Sequence, residues 1–162
     1  MTFETFFVSR EEISNPLLPG LIDAGKTLAD HGCPDGVISA RYGNRVVLST
    51  ASLDNLSIGD FVELADYDPS RHIAMVIGTA APPQSVPLHW LLYRRSEVNA
   101  AVQLHHQFED APAADIDPDG AIDEVMEALR LLKNNMFINL GDDDCIAVGG
   151  SIAAVLDVIP CV

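Results

Sequence analysis

Basic residues are scarce in this chain: nine Lys and Arg stand against 24 Asp and Glu, for a net charge of −15. Such a surface repels phosphate backbones and excludes nucleic acid as a partner. It also disfavours phosphorylated sugars unless a local basic pocket gathers the few cations. Cysteine is equally sparse. Cys33, Cys145 and Cys161 are odd in number, far apart in sequence and without C-x-x-C spacing. That excludes a disulfide framework and a zinc ribbon, and it makes a reducing cytoplasm the expected setting. No window approaches ~18 consecutive apolar residues, so no membrane-spanning helix is expected. The first residues, Met1 to Phe7, lack the basic start and long apolar stretch of a signal peptide.

What is present is core material. Hydrophobic residues make up 48% of 162 residues, enough for one self-supporting domain over 1–162, with no internal repeat. Ser9-Arg10-Glu11-Glu12 reads as a helix N-terminus, a hydroxyl followed by acids. Leu17, Leu21 and Leu28 give a helical stripe closed by Gly32 and Pro34. Val37–Arg41 and Arg45–Ser49 flank the turn Tyr42-Gly43-Asn44 and read as a hairpin. Two further strands are expected at Phe61–Leu64 and His72–Gly78. Ser85-Val86-Pro87 opens a helix, with the Ser85 hydroxyl as its cap; the helix is apolar nearly all round, carries His89, Trp90 and Tyr93, and should be buried. Asn99–Leu104 reads as a strand leading into His105-His106.

Residues 107–120 form an acidic loop without periodicity, and a helix follows from Asp117-Pro118 with Ile122, Val125, Met126, Leu129 and Leu132 on one face. Short strands at 136–139 and 145–148 enclose Asp142-Asp143-Asp144, read as a solvated turn, and a last helix runs over 151–158. Antiparallel runs of strands with interspersed helices predict an α/β domain: a central, mostly antiparallel sheet flanked by helices.

Several partial motifs occur in one order. Gly36-Val37-Ile38-Ser39-Ala40-Arg41 and Leu48-Ser49-Thr50-Ala51-Ser52-Leu53 come first, then Gly59-Asp60-Phe61 with Ala65-Asp66. Pro82–His89 with Leu92-Tyr93-Arg94 follows, then Val98–His105, and last Asn139-Leu140-Gly141 with Val148–Ala154. Together they resemble the class II aldolase/adducin family, whose members include fuculose-phosphate aldolases. The resemblance implies a three-layer domain, a homo-oligomer with sites between subunits, and a small carbonyl or sugar-like ligand. It also implies one zinc on three histidines, acting as a Lewis acid, with a glutamate moving the proton.

Carried over position by position, His105 matches the second histidine. Gln103 stands at the first, Leu140 at the third and Ser85 at the glutamate. Thr50 and Ser52 match hydroxyls of the phosphate-binding segment, whereas Val37, Leu53, Pro83 and Gln84 depart from it. A leucine cannot ligate metal, and an amide ligates zinc poorly. The expectation is therefore a cleft formed by Ser85, Gln103, His105 and Leu140, with zinc bound weakly or not at all. The protein would be repurposed for small-molecule binding or assembly. The alternative is an active metal-dependent lyase on a small hydroxy-carbonyl compound, its site rearranged around His105 with His106, Glu109 or His89. Adjacent strand residues face opposite ways, which argues against His105 and His106 sharing an ion. His89 is expected to be a core histidine, and His31 and His72 to lie at the surface. The apolar segments at Phe3, Phe6 and Phe7 and at Val158, Ile159 and Val162 need cover, which favours assembly.

Overall fold

The computed structural model describes residues 3–162. Nine strands form one sheet: β1 (Glu4–Ser9), β2 (Gly36–Tyr42), β3 (Arg45–Ser49), β4 (Phe61–Asp68), β5 (Ile73–Ile77), β6 (Ala100–Leu104), β7 (Ala113–Ala114), β8 (Phe137–Leu140) and β9 (Asp144–Gly149). Their order across the sheet is β1-β5-β4-β3-β2-β6-β9-β8-β7. The interior pairings are antiparallel, and the two edge pairs, β1 with β5 and β7 with β8, are parallel. Four helices cover it: α1 (Leu18–Asp30), α2 (Val86–Leu92), α3 (Ile122–Leu132) and α4 (Ile152–Val158).

Side-chain alternation sorts the core into two layers. Leu48, Val62, Ala101, Ile146 and Val148 pack under Leu88 and Leu92 of α2 and Val125, Ala128 and Leu132 of α3. Ile38, Val47, Val102, Leu104 and Ala147 pack under Leu21 and Leu28 of α1 and Val155 of α4. The result is a three-layer α/β/α domain. Each fully buried aliphatic side chain contributes roughly 1.5–3 kcal/mol of hydrophobic stabilisation.

Three expectations need correction. The Ser9–Glu12 segment starts no helix. Glu4–Ser9 form edge strand β1, and the chain then runs irregularly to α1. Thr5-Phe6-Phe7-Val8 is a β-branched and aromatic run that finds a partner in β5, and that long-range pairing outweighs the local cap pattern. In the acidic loop, Ala113 and Ala114 pair with Asn139 and Leu140 to make β7. On α3 the buried stripe is Val125, Ala128 and Leu132, while Met126 is 45% exposed. The apolar ends are covered in part by their own domain. Phe3 and Phe7 pack against the α2/α3 core and Ile159 is buried, but Phe6 remains 60% exposed. Among the described residues, no helix is long and apolar enough to cross a membrane.

Candidate functional site

The site is built at one end of strands β2, β6, β8 and β9. Gly36 opens β2 opposite Leu104, and a Cβ there would lie 2.1 Å from the Gln103 carbonyl oxygen. Only glycine lets the two strands meet this closely. The His105 amide donates to the Asp35 carbonyl at 2.9 Å and carries the pairing one residue past β6. Asn139, on β8, holds the next segment with two bonds. Its Oδ1 accepts from the Phe108 amide and its Nδ2 donates to the Phe108 carbonyl. Gln107 Nε2 donates to the Gly141 carbonyl at 2.8 Å and so fastens the β8–β9 turn. Gly141 takes φ +56° in that turn, where a Cβ would also meet the Ile116 carbonyl oxygen at 2.6 Å.

Beyond the Leu104–Cys145 pair, the register sets His105 opposite Asp144. A chain of hydrogen bonds begins there and runs inward. His105 Nδ1 lies 2.9 Å from Asp144 Oδ1, and Gln103 Nε2 donates to Asp144 Oδ2 at 2.8 Å. Gln103 Oε1 lies 3.1 Å from His89 Nε2, His89 Nδ1 lies 2.7 Å from Ser39 Oγ, and Ser39 Oγ lies 2.9 Å from Tyr93 Oη.

The donor directions follow from the chemistry of the groups. A carboxylate only accepts, so the Gln103 NH₂ faces Asp144 and its oxygen faces His89. His89 therefore carries its proton on Nε2. Its Nδ1 accepts from the Ser39 hydroxyl, which in turn accepts from Tyr93. Burial of His89 lowers its pKa to about 4, partly offset by the bond to Gln103, so the ring is neutral near pH 7. Burial likewise pushes the Tyr93 phenol upward, against smaller opposing effects from Ser39 and Arg41. At His105 the hydrogen bond to Asp144 is the main cause of a raised pKa, and the charges of Asp144, Asp143 and Asp35 add to it. Among the described residues, every buried side-chain nitrogen and oxygen has a partner.

A pocket of about 460 Å³ opens beside this chain, lined by His105, Ile116, Leu140 and a run of acids: Asp115, Asp117, Asp119, Asp142, Asp143 and Asp144. No Lys or Arg is in its wall. Asp119 has its pKa raised, first by burial and then by Asp117 and Asp144. With Nδ1 on Asp144, His105 keeps Nε2 for a bound molecule.

Of the residues expected from sequence, His105 and Leu140 line this pocket, and Gln103 lies one hydrogen bond behind it. Ser85 does not line it. It is buried at the start of α2, one turn before His89, and its hydroxyl makes no capping bond, contrary to the sequence expectation. Thr50 and Ser52 also lie outside its wall. Their hydroxyls donate to the carbonyls of Asp60 and Pro34 and so tie loops together. His106 turns to the other face, its ring 4.6 Å from that of Phe108. His31 is exposed and His72 half-buried.

Asp144 was missed. Its carboxylate is no solvated turn residue but is 14% exposed and bonded twice by side chains. The alternation Asp144, Ile146, Val148 carries the signal, since it puts the carboxylate on the face of Gln103. The partnership of His89 and Tyr93 with Ser39 was also missed. His89 on α2 and Tyr93, the first residue after it, sit four apart, both turned to β2.

A catalytic zinc needs three ligands and an open position. Here the amide of Gln103 is engaged at both ends, Leu140 offers only carbon, and His105 supplies one imidazole. Among the described residues, no group of three or more His, Cys, Asp or Glu is arranged to hold a metal ion. The residues do not fit the zinc that the resemblance implies.

A nine-stranded, mostly antiparallel sheet between two helical layers, with a polar site at one sheet end, defines the architecture. At the level of sequence, no protein-family model and no curated protein matches the chain. Solved structures do match in fold. An L-fuculose 1-phosphate aldolase superposes with TM-score 0.72 at 15% identity, over 93% of this chain and 84% of its own. The L-fuculose-1-phosphate aldolase of Thermus thermophilus gives 0.66 at 14%, over 90% and 88%. The N-terminal class II aldolase domain of a Thermoplasma acidophilum protein gives 0.63 at 9%, over 92% and 91%. The chain has the class II aldolase fold.

Proposed function

We propose that this protein is a class II aldolase fold that has lost zinc-dependent aldol cleavage and uses the pocket beside His105 to bind a small, uncharged hydroxy-carbonyl or polyhydroxy compound. The carrying observation is Gln103. The side chain at the first ligand position is hydrogen-bonded on one side to His89 and on the other to Asp144. A metal there would have to break a satisfied, largely buried pair of bonds. The ligand class follows from the wall. Carboxylates accept hydrogen bonds from hydroxyl groups, whereas the same charges repel a phosphate that no nearby cation neutralises.

Metal analysis of the dialysed protein tests the first half. Zinc should be far below one equivalent, and a stoichiometric zinc that survives dialysis overturns the proposal. The triple variant Ser85→Glu, Gln103→His, Leu140→His should gain zinc, because its two new imidazoles join His105 as ligands on an unchanged backbone. Thermal shifts test the second half. Uncharged hydroxy-carbonyl compounds should raise the melting temperature, and their 1-phosphates should not.

A second reading rests on the His105–Asp144 pair. A histidine oriented through Nδ1 by a carboxylate presents Nε2 as a base. On that reading the protein is a lyase moving a proton on the same uncharged substrates. Its retro-aldol or decarboxylase activity would vanish in His105→Ala, and an activity indifferent to that change would eliminate this reading. We also propose a homo-oligomer, supported by Phe6 and Val8, which are 60% and 54% exposed on an edge strand. A monomer mass by light scattering at micromolar concentration would contradict it.

A further inference from the structure

Cys33 lies three residues beyond α1. Its amide donates to the Leu28 carbonyl at 3.0 Å, which fixes it against the helix end, and its side chain is buried. Cys161 lies three residues beyond α4 and is half-buried against the same apolar layer. Though 128 positions apart in sequence, the two Sγ atoms are 3.4 Å apart. That is contact distance for two thiols, and a disulfide needs them at roughly 2.0 Å. Cys161 lies outside every helix and strand, so an approach of this size breaks no helical or strand pairing. The third cysteine, Cys145, is buried on β9 in the same layer.

We propose that Cys33 and Cys161 are a reversible thiol pair that closes to a disulfide when the protein meets a low-molecular-weight disulfide, stapling the segment after α4 to the end of α1. The half-exposed Cys161 is the entry point. It gives its proton to solvent, and its thiolate attacks one sulfur of RS–SR. A Cys161–SR bond forms, and RS⁻ leaves and takes up a proton. Cys33 then loses its proton, its thiolate attacks the Cys161 sulfur, and the second RS⁻ leaves. Two protein thiols are oxidised and one RSSR is reduced to two RSH. Burial, with the bond to Cys33 adding, pushes the Cys161 thiol up to about 12, so the first attack is slow near neutrality and alkaline solution speeds it. The staple also bears on the candidate site. The residues directly after Cys33 are Pro34, whose carbonyl holds Ser52, and Asp35, whose carbonyl holds the His105 amide.

The test uses the full 162-residue chain, oxidised glutathione at mildly alkaline pH and non-reducing peptide mapping. The expected result is an intact mass lower by about 2 Da, a linked Cys33–Cys161 peptide, and full reversal by dithiothreitol. The melting temperature of the oxidised form should rise by about 5 °C or more, because the link closes a very long loop. Cys161→Ser, chosen because that side chain is half-exposed, should fold as the parent does and show neither change. A lasting mixed disulfide on Cys161, a link through Cys145, or two thiols that stay free would each overturn the proposal.

Discussion

The two faces of strands β2, β6 and β9 are made by alternate residues of the same three segments, yet they do different work. The face under α1 and α4 presents Ile38, Ala40, Val102, Leu104, Cys145 and Ala147, all buried and none charged. The face under α2 and α3 presents Ser39, Gln103 and Asp144 among its apolar residues, joined by His89 from α2 and by Tyr93 just after it. One face stabilises by burial alone. On the other, every polar group must be matched, because an unmatched buried donor or acceptor costs about 1–3 kcal/mol. The polar groups form a single line that reaches solvent at His105. On these three strands the polar network therefore lies on one side, and the other side holds the domain together.

One residue from each face tests this division. Leu104 is fully buried under α1 and α4, and Leu104→Ala should cost about 3 kcal/mol through lost burial and the cavity left behind. Urea denaturation should show the midpoint falling with an unchanged slope. A cost below about 1 kcal/mol would mean that this layer is not closely packed.

Acid should act on the other face. His89 has a folded pKa of about 4 against an ordinary value of 6.5, so the unfolded chain takes up the proton first. Its contribution to stability is complete above about pH 6.5 and is lost as pH falls toward about 4, by about 3 kcal/mol in all. Many carboxylates titrate in the same range, so the measurement is a comparison. His89→Asn should start less stable and lose correspondingly less between pH 6.5 and 4. Parallel stability curves for the two proteins would show that His89 is not held neutral by its surroundings.

Local patterns in the sequence carried much of this fold. Leu21 and Leu28 at helical spacing mark α1, and the turn at Gly43-Asn44 between two β-branched runs marks the β2–β3 hairpin. The alternation through Gln103 and His105 places both on one face and sends His106 to the other, as it does here. What stayed hidden depends on distant partners. Edge strand β1 exists because β5 lies beside it, and nothing near Ser9 announces that. Asp144 sits beside two other aspartates, so its local sequence says solvent. Its burial comes from pairing β9 against both β6 and β8. Cys33 and Cys161 looked unrelated for the same reason, since only the return of the chain after α4 brings them together. The substitutions at Gln103 and Leu140 were legible one by one. That Gln103 would be tied to His89 and Asp144 was not, because it takes three separate elements to assemble the chain.

The smallest expected effect lies where the polar face meets solvent, and it reads directly on the His105–Asp144 pair. The hydrogen bond from His105 to Asp144, and then the charge of Asp144, raise the pKa of His105 above its ordinary 6.5, and the slight burial of the ring opposes them. A raised value means that the folded protein holds this proton more tightly than the unfolded chain does. The stabilisation is full below the unfolded pKa and disappears as pH rises through the folded one. Because the ring is 64% exposed, solvent screens the pair and denaturation experiments will barely register it. An NMR titration of the His105 ring protons will. Asp144→Asn keeps an acceptor for Gln103 but removes the charge, so the His105 midpoint should fall back toward 6.5, with Asp143 and Asp35 holding it slightly above. The His89 ring, insulated behind Gln103, should stay neutral across the range in which His105 titrates. An unchanged His105 midpoint in this variant would mean that the carboxylate does not orient the imidazole, and His105 as a base would lose its support.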